Sequence, residues 1–200
     1  MTFIVTDHGR AHRVEQNVTL DIDVAEQSGV LRDSFLGGQV VISQEHYQLQ
    51  TGDTFLVSYK SPDDANIADD GTVNLHIATG AKQVHLSAWA SCGGDMEAEL
   101  LEGTTIDGDT GTEMTVYNKR RASATASLST VKRDITVDSA GTLLEHRFIP
   151  GGDGGNAVGG ARGEQDEWIV AANTNYMLRI TNRAGTAQPM SIEIEWYEEN

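Results

Sequence analysis

The chain of 200 residues holds a single cysteine, Cys92. Without a second thiol no intrachain disulfide forms, so the fold must rest on its apolar core. Basic residues are scarce: 14 Lys and Arg stand against 30 Asp and Glu, a formal net charge of −16. A surface this acidic repels a phosphate backbone, which argues against nucleic acid as a partner. Long hydrophobic runs are missing too. No stretch approaches the roughly 18 apolar residues that cross a bilayer. The start, Met1-Thr2-Phe3-Ile4-Val5-Thr6-Asp7, has a three-residue apolar run and no basic flank, unlike a secretory leader. Synthesis and folding in a cytoplasm, with no membrane partner, is the expectation. Catalytic signatures are also lacking: there is no H-E-x-x-H, no paired cysteine and no G-x-S-x-G.

What is present is globular. Hydrophobic residues make up 38% of the chain and there are 21 glycines, an ordinary apolar content that separates it from disordered acidic tails. The acidic excess is compatible with solubility, with a high-salt setting, or with a surface that must not bind nucleic acid.

Alternation is the dominant pattern. Phe55, Val57 and Tyr59 recur at period two, as do Val73, Leu75 and Ile77, then Val84, Leu86 and Ala88. Tyr176, Leu178 and Ile180 repeat the pattern, and Ile192, Ile194 and Trp196 close it. Period two puts each set on one face of a half-buried strand. Further strands are expected from Val40 toward Tyr47 and over Glu97–Leu101, Met114–Asn118, Ala124–Leu128, Ile135–Val137, Leu143–Phe148 and Glu167–Ala171. Turn residues such as Thr51-Gly52-Asp53, Asp69-Asp70-Gly71 and Ala140-Gly141 punctuate them. Many short strands with no sustained helical period predict an all-β chain, a jelly-roll-like β-sandwich over 38–200. Residues 1–37 read as an N-terminal extended arm with a strand over Val18–Val24. Short helices are expected only within Val24–Phe35 and as a turn near Pro62–Ala68.

The candidate chemical motifs reduce to structure when weighed. Asp107-Gly108-Asp109-Thr110-Gly111-Thr112-Glu113 spaces carboxylates as calcium favours. The EF-hand glycine is misplaced, however, and Asn118 stands at the twelfth position, so an acidic turn outweighs a site. Asp63-Asp64 and Asp69-Asp70 are read likewise. Gly151–Gly160 lacks the Lys-Ser/Thr pair of a phosphate loop and is one copy rather than a tandem repeat, which predicts a surface loop. Six histidines are scattered: His8 and His12 in the arm, His46, His76, His85 and His146 beyond it. His85 and Trp89 share a strand face. Cys92 reads as a structural thiol. Lys119-Arg120-Arg121, the one basic cluster, suits either a solvated turn or salt bridges to a neighbouring subunit. No catalytic, metal or cofactor residue is assigned.

Several stretches resemble a group of tailed-bacteriophage virion proteins, encoded with head genes and built as a single β-sandwich. They are Glu45–Phe55, Leu100–Thr105, Thr115–Arg121 and Gly141–Glu145, then Glu167–Val170, Asn173–Asn182 and Ile194–Glu198. Together they cover roughly residues 40–200. Asn118-Lys119-Arg120-Arg121 departs at two positions from the family's Asn-Arg-Asn-Arg. The resemblance implies a non-enzymatic capsid decoration, or cement, protein. Its partners would be the major capsid protein on the outer head surface and two further copies of itself in a homotrimer. The alternative is a receptor- or glycan-binding module of a tail or appendage, with Trp89, Trp168 or Tyr197 stacking on a sugar. A polysaccharide hydrolase, which needs two carboxylates facing each other in a cleft, has the least support.

Overall fold

The computed structural model of the chain describes residues 3–7, 10–14, 30–32, 39–41, 44–62, 65–151 and 167–199. Its contacts divide the chain into two compact units, Met1–Tyr47 and Gln48–Asn200. In the first, β1 (Phe3–Asp7) pairs antiparallel with β2 (Arg10–Val14), and β3 (Val30–Arg32) pairs with β4 (Gln39–Val41). The strand expected over Val18–Val24 lies outside the described residues. Within Val24–Phe35, where a short helix was expected, Val30–Arg32 is instead strand.

The strand expected to run from Val40 toward Tyr47 stops at Val41, and a helix, α1 (Gln44–Thr51), follows. The reason is local. Three glutamines, Glu45 and Leu49 between Gln44 and Gln50 are good helix formers, and Glu45 in the first turn suits the helix dipole. Gly52, at φ 88°, ends it: the Gly52 and Asp53 amides both donate to the Gln48 carbonyl. A Cβ here would lie 2.6 Å from Ser123 Oγ.

Among its described residues the second unit is all-β apart from α1. Its strands are β5 (Thr54–Lys60), β6 (Thr72–Ala78), β7 (Val84–Cys92), β8 (Met96–Glu102), β9 (Thr105–Ile106), β10 (Thr112–Glu113) and β11 (Tyr117–Asn118). They continue as β12 (Thr130–Arg133), β13 (Val137–Ser139), β14 (Thr142–Ile149), β15 (Glu167–Val170), β16 (Asn175–Asn182) and β17 (Met190–Glu198). One sheet has the order β10-β12-β6-β16-β8-β14, the other β11-β5-β17-β7-β15, and β13 pairs with β9 as a separate ribbon. Every pairing is antiparallel.

The two sheets share one apolar core, as a sandwich requires. Each period-two set named above supplies it. Phe55, Val57, Leu75, Ile77, Leu86, Tyr176, Ile180, Ile192, Ile194 and Trp196 are all buried. The Phe55 and Trp196 rings meet at 6.0 Å between centroids, tilted by 34°.

Three expected strands shift. Of Ile135–Val137 only Val137 is strand, at the start of β13. Ala124–Leu128 is irregular, because the buried Glu198 carboxylate draws the backbone and hydroxyls of Ser127 to Ser129 out of any ladder. β12 starts after that clasp. In Met114–Asn118 only Tyr117 and Asn118 form strand.

Candidate functional site

The basic cluster is committed within the chain. Lys119 pairs with Glu195 on β17, Arg120 donates to the Gln50 carbonyl at the end of α1, and the Arg121 guanidinium lies 5.6 Å from the Tyr117 ring centre. The acidic segment 107–113 folds as a tight exposed turn. Asp107 accepts the Asp109 amide through its carboxylate (3.1 Å) and the Thr110 amide through its carbonyl (3.0 Å). Asp69 accepts the Gly185 amide, and Asp70 pairs with Arg183. Asp63, Asp64 and residues 152–160 of the glycine-rich stretch lie outside the described residues, as does His8. Among the described residues no three His, Cys, Asp or Glu side chains are arranged to hold a metal ion.

His85 sits with Trp89 on the outer side of β7, as the alternation implies. It is buried, stacked on Tyr197 at 4.2 Å, with Nε2 2.7 Å from Glu199 and Nδ1 2.6 Å from the Tyr197 hydroxyl. This closes Tyr197 to a ligand. Trp168 is half-buried and donates its indole N–H to Glu145 at 2.8 Å, at the mouth of a recess of about 90 Å³ between the sheets floored by Leu86, Ala88, Ala98 and Leu178. Cys92 is buried, 3.9 Å from Asn182 Oδ1.

Two polar groups that sequence reasoning passed over hold the scaffold. Asn182, wholly buried, donates to the carbonyls of Ile67, Ala68 and Thr186 and accepts the Ala184 amide, tying two loops to the end of β16. Glu198, 3% exposed, accepts from the amides of Leu128 and Ser129 and the hydroxyls of Ser127 and Ser129. The only available signals were a polar residue closing each strand pattern.

His76 differs from these. It is 6% exposed on the outer face of the six-stranded sheet, between Lys132 on β12 and Met177 on β16, and its Nε2 has no hydrogen-bond partner. Burial first, and then the Lys132 charge, hold its pKa below the ordinary 6.5. A depressed histidine favours the folded state only while neutral. Its contribution is therefore present above the unfolded pKa and lost as pH falls through that value toward the folded one. His76→Leu should lose less melting temperature than the parent between pH 7.5 and pH 5.5 (about one unit above and below the unfolded value). Equal losses in both proteins would rule the effect out.

Among the described residues, two open surfaces stand out. The outer edges of the five-stranded sheet carry exposed apolar side chains, Ile169 on β15 (62%) and Tyr117 on β11 (49%). The outer face of the six-stranded sheet carries a polar groove of about 550 Å³ walled by Ile135 and Val137. No protein-family model, curated protein or solved structure matches the chain.

Proposed function

We propose that the chain is a non-enzymatic phage virion structural protein, a capsid decoration protein. In this reading it binds the major capsid protein on the outer head surface as a homotrimer and stabilises the shell. The family resemblance of residues 40–200 supports this. The strand order supports it too: with β9 to β13 set aside, the other eight strands of the sandwich, numbered in sequence, run 1-8-3-6 in one sheet and 2-7-4-5 in the other, the order two interlocked Greek keys would give.

One observation carries the assembly part. The two edges of the five-stranded sheet differ, yet each presents one exposed large apolar residue on the same outer face. Ile169 is opposite the outward-facing His85, and Tyr117 is opposite Leu56, whose neighbours Phe55 and Val57 point to the core. The edges lie roughly 19 Å apart, four inter-strand spacings. Two unlike apolar patches make a head-to-tail contact that repeats around a ring. Such a ring on a capsid buries area only when assembled and stabilises the lattice by mass action.

Sedimentation and head binding test this. The parent should form a closed ring and bind purified heads in many copies. Ile169→Asp and Tyr117→Asp should each be monomeric, and mixing the two should restore heterodimers through the one intact interface. Variants that remain fully assembled, or a parent that does not bind heads, would reject the reading.

A further inference from the structure

We infer that the outer face of the six-stranded sheet is a binding groove for a neutral glycan. This inference does not depend on the assembly proposed above.

Register alone assembles it. Asn74 on β6, Arg179 on β16, Glu99 on β8 and His146 on β14 lie opposite one another in a single cross-strand row. Two residues along, Thr72, Thr181, Glu97 and Phe148 form the next row. Each row spans roughly 14 Å, and the rows are roughly 7 Å apart. The volume of about 550 Å³ is that of an ordinary small-ligand site.

A bulge in β14 makes this face. Leu143 is opposite Leu101, but the register then slips by one, so that Glu145 faces Leu100 and Arg147 faces Ala98. Leu100 belongs to the core. The slip thus turns the paired Glu145 and Arg147 toward the seam between the sheets, and turns His146 and Phe148 outward. Phe148 is left 57% exposed. The same register carries Ile149 inward against the core while Phe148 goes outward. Bulges at sheet edges commonly re-aim a side chain next to a binding site.

The groove chemistry selects the ligand. Arg179 makes long bonds, 3.2 Å to Asn74 and 3.3 Å to Glu99, which use two of its five N–H donors. Planar amide, carboxylate and guanidinium groups side by side present the alternating donors and acceptors that adjacent hydroxyls match. Phe148, at the end of the second row and beside the groove rather than among its walls, offers an exposed apolar ring for the C–H side of a sugar. Three carboxylates (Asp70, Glu97, Glu99) outweigh two guanidinium groups (Arg179, Arg183), on a chain of net charge −16. That field opposes phosphorylated, sialylated or uronic-acid ligands and leaves neutral polyols.

The test uses the full chain on immobilised oligosaccharides of glucose, galactose, mannose and N-acetylglucosamine, beside uronic-acid and sialic-acid glycans, with calorimetry on any that bind. At least one neutral glycan should bind, with little dependence on salt. Phe148→Ala and Asn74→Ala should each weaken it tenfold or more at unchanged melting temperature, and Ile169→Ala on the other sheet should not alter it. Binding of acidic glycans alone, binding insensitive to Phe148→Ala and Asn74→Ala, or no binding at all would overturn the inference.

Discussion

Asn182→Asp should be among the most destabilising single-atom exchanges available in this chain. The side-chain amide nitrogen lies 2.9, 3.1 and 2.8 Å from the carbonyl oxygens of Ile67, Ala68 and Thr186, with no solvent exposure. Exchanging that NH2 for oxygen removes both donors and sets a carboxylate against three acceptors. An unpaired charge in such a position costs about 4 kcal/mol, which for a chain of this length lowers Tm by about 8–16 °C. The new carboxyl, unable to ionise easily among carbonyls, has its folded pKa raised above the unfolded value of about 3.9. Its neutral form is favoured in the folded state, so the deficit is full above the raised pKa and fades as pH falls toward the unfolded one. Thermal melts of parent and variant at pH 7 and near pH 4 check both the size and the sign. A deficit that does not shrink on acidification would show that the amide does not act as this donor. Hydrogen exchange should also quicken at the reciprocal Ile67 and Gln188 amides, which bond each other's carbonyls beside the clasp.

The contrast between what alternation reveals and what it hides follows from physical range. Period two is a local property, and the core sets of β5, β6, β7, β16 and β17 could be read from it because a half-buried strand needs nothing beyond its own side chains to declare its faces. The helix over Gln44–Thr51 was hidden behind an apolar triplet, Val40-Val41-Ile42, whose strand ends before the helix begins. The β14 bulge was invisible for a different reason. In Thr142-Leu143-Leu144-Glu145-His146-Arg147-Phe148, either alternation gives one acceptable face, and only pairing with β8 decides where the slip falls. The groove row is less legible still, since Asn74, Glu99, His146 and Arg179 are far apart in sequence and meet only through the register of four strands. Of the three aromatics the sequence offered for sugar stacking, Tyr197 is closed off by its contact with His85 and Trp89 and Trp168 are half-buried, while Phe148, which alternation did not single out, is exposed.

Glu198 raises the same question of range with a larger consequence. It ends β17 and reaches across about seventy positions of sequence to take two backbone amides and two hydroxyls from Ser127 to Ser129. Trp196, two residues earlier on the same strand, donates its indole N–H to Ser127 at 3.2 Å, so the clasp also positions the largest buried side chain of the core. Glu198→Ala would leave the Leu128 amide without its acceptor and the Ser129 amide with Ser127 Oγ alone. Losing these charge-assisted bonds costs about 4 kcal/mol. Glu198→Gln keeps one acceptor oxygen and should cost about half as much. The alanine variant should also show red-shifted tryptophan emission before global unfolding, as the 127–129 segment detaches and water reaches the indole. The irregular stretch from Ala124 to Ser129 would then be free to extend β12, the strand that period-two reasoning expected there. If Glu198→Ala melts with the parent and its emission is unchanged, the carboxylate is not what holds that segment out of the sheet.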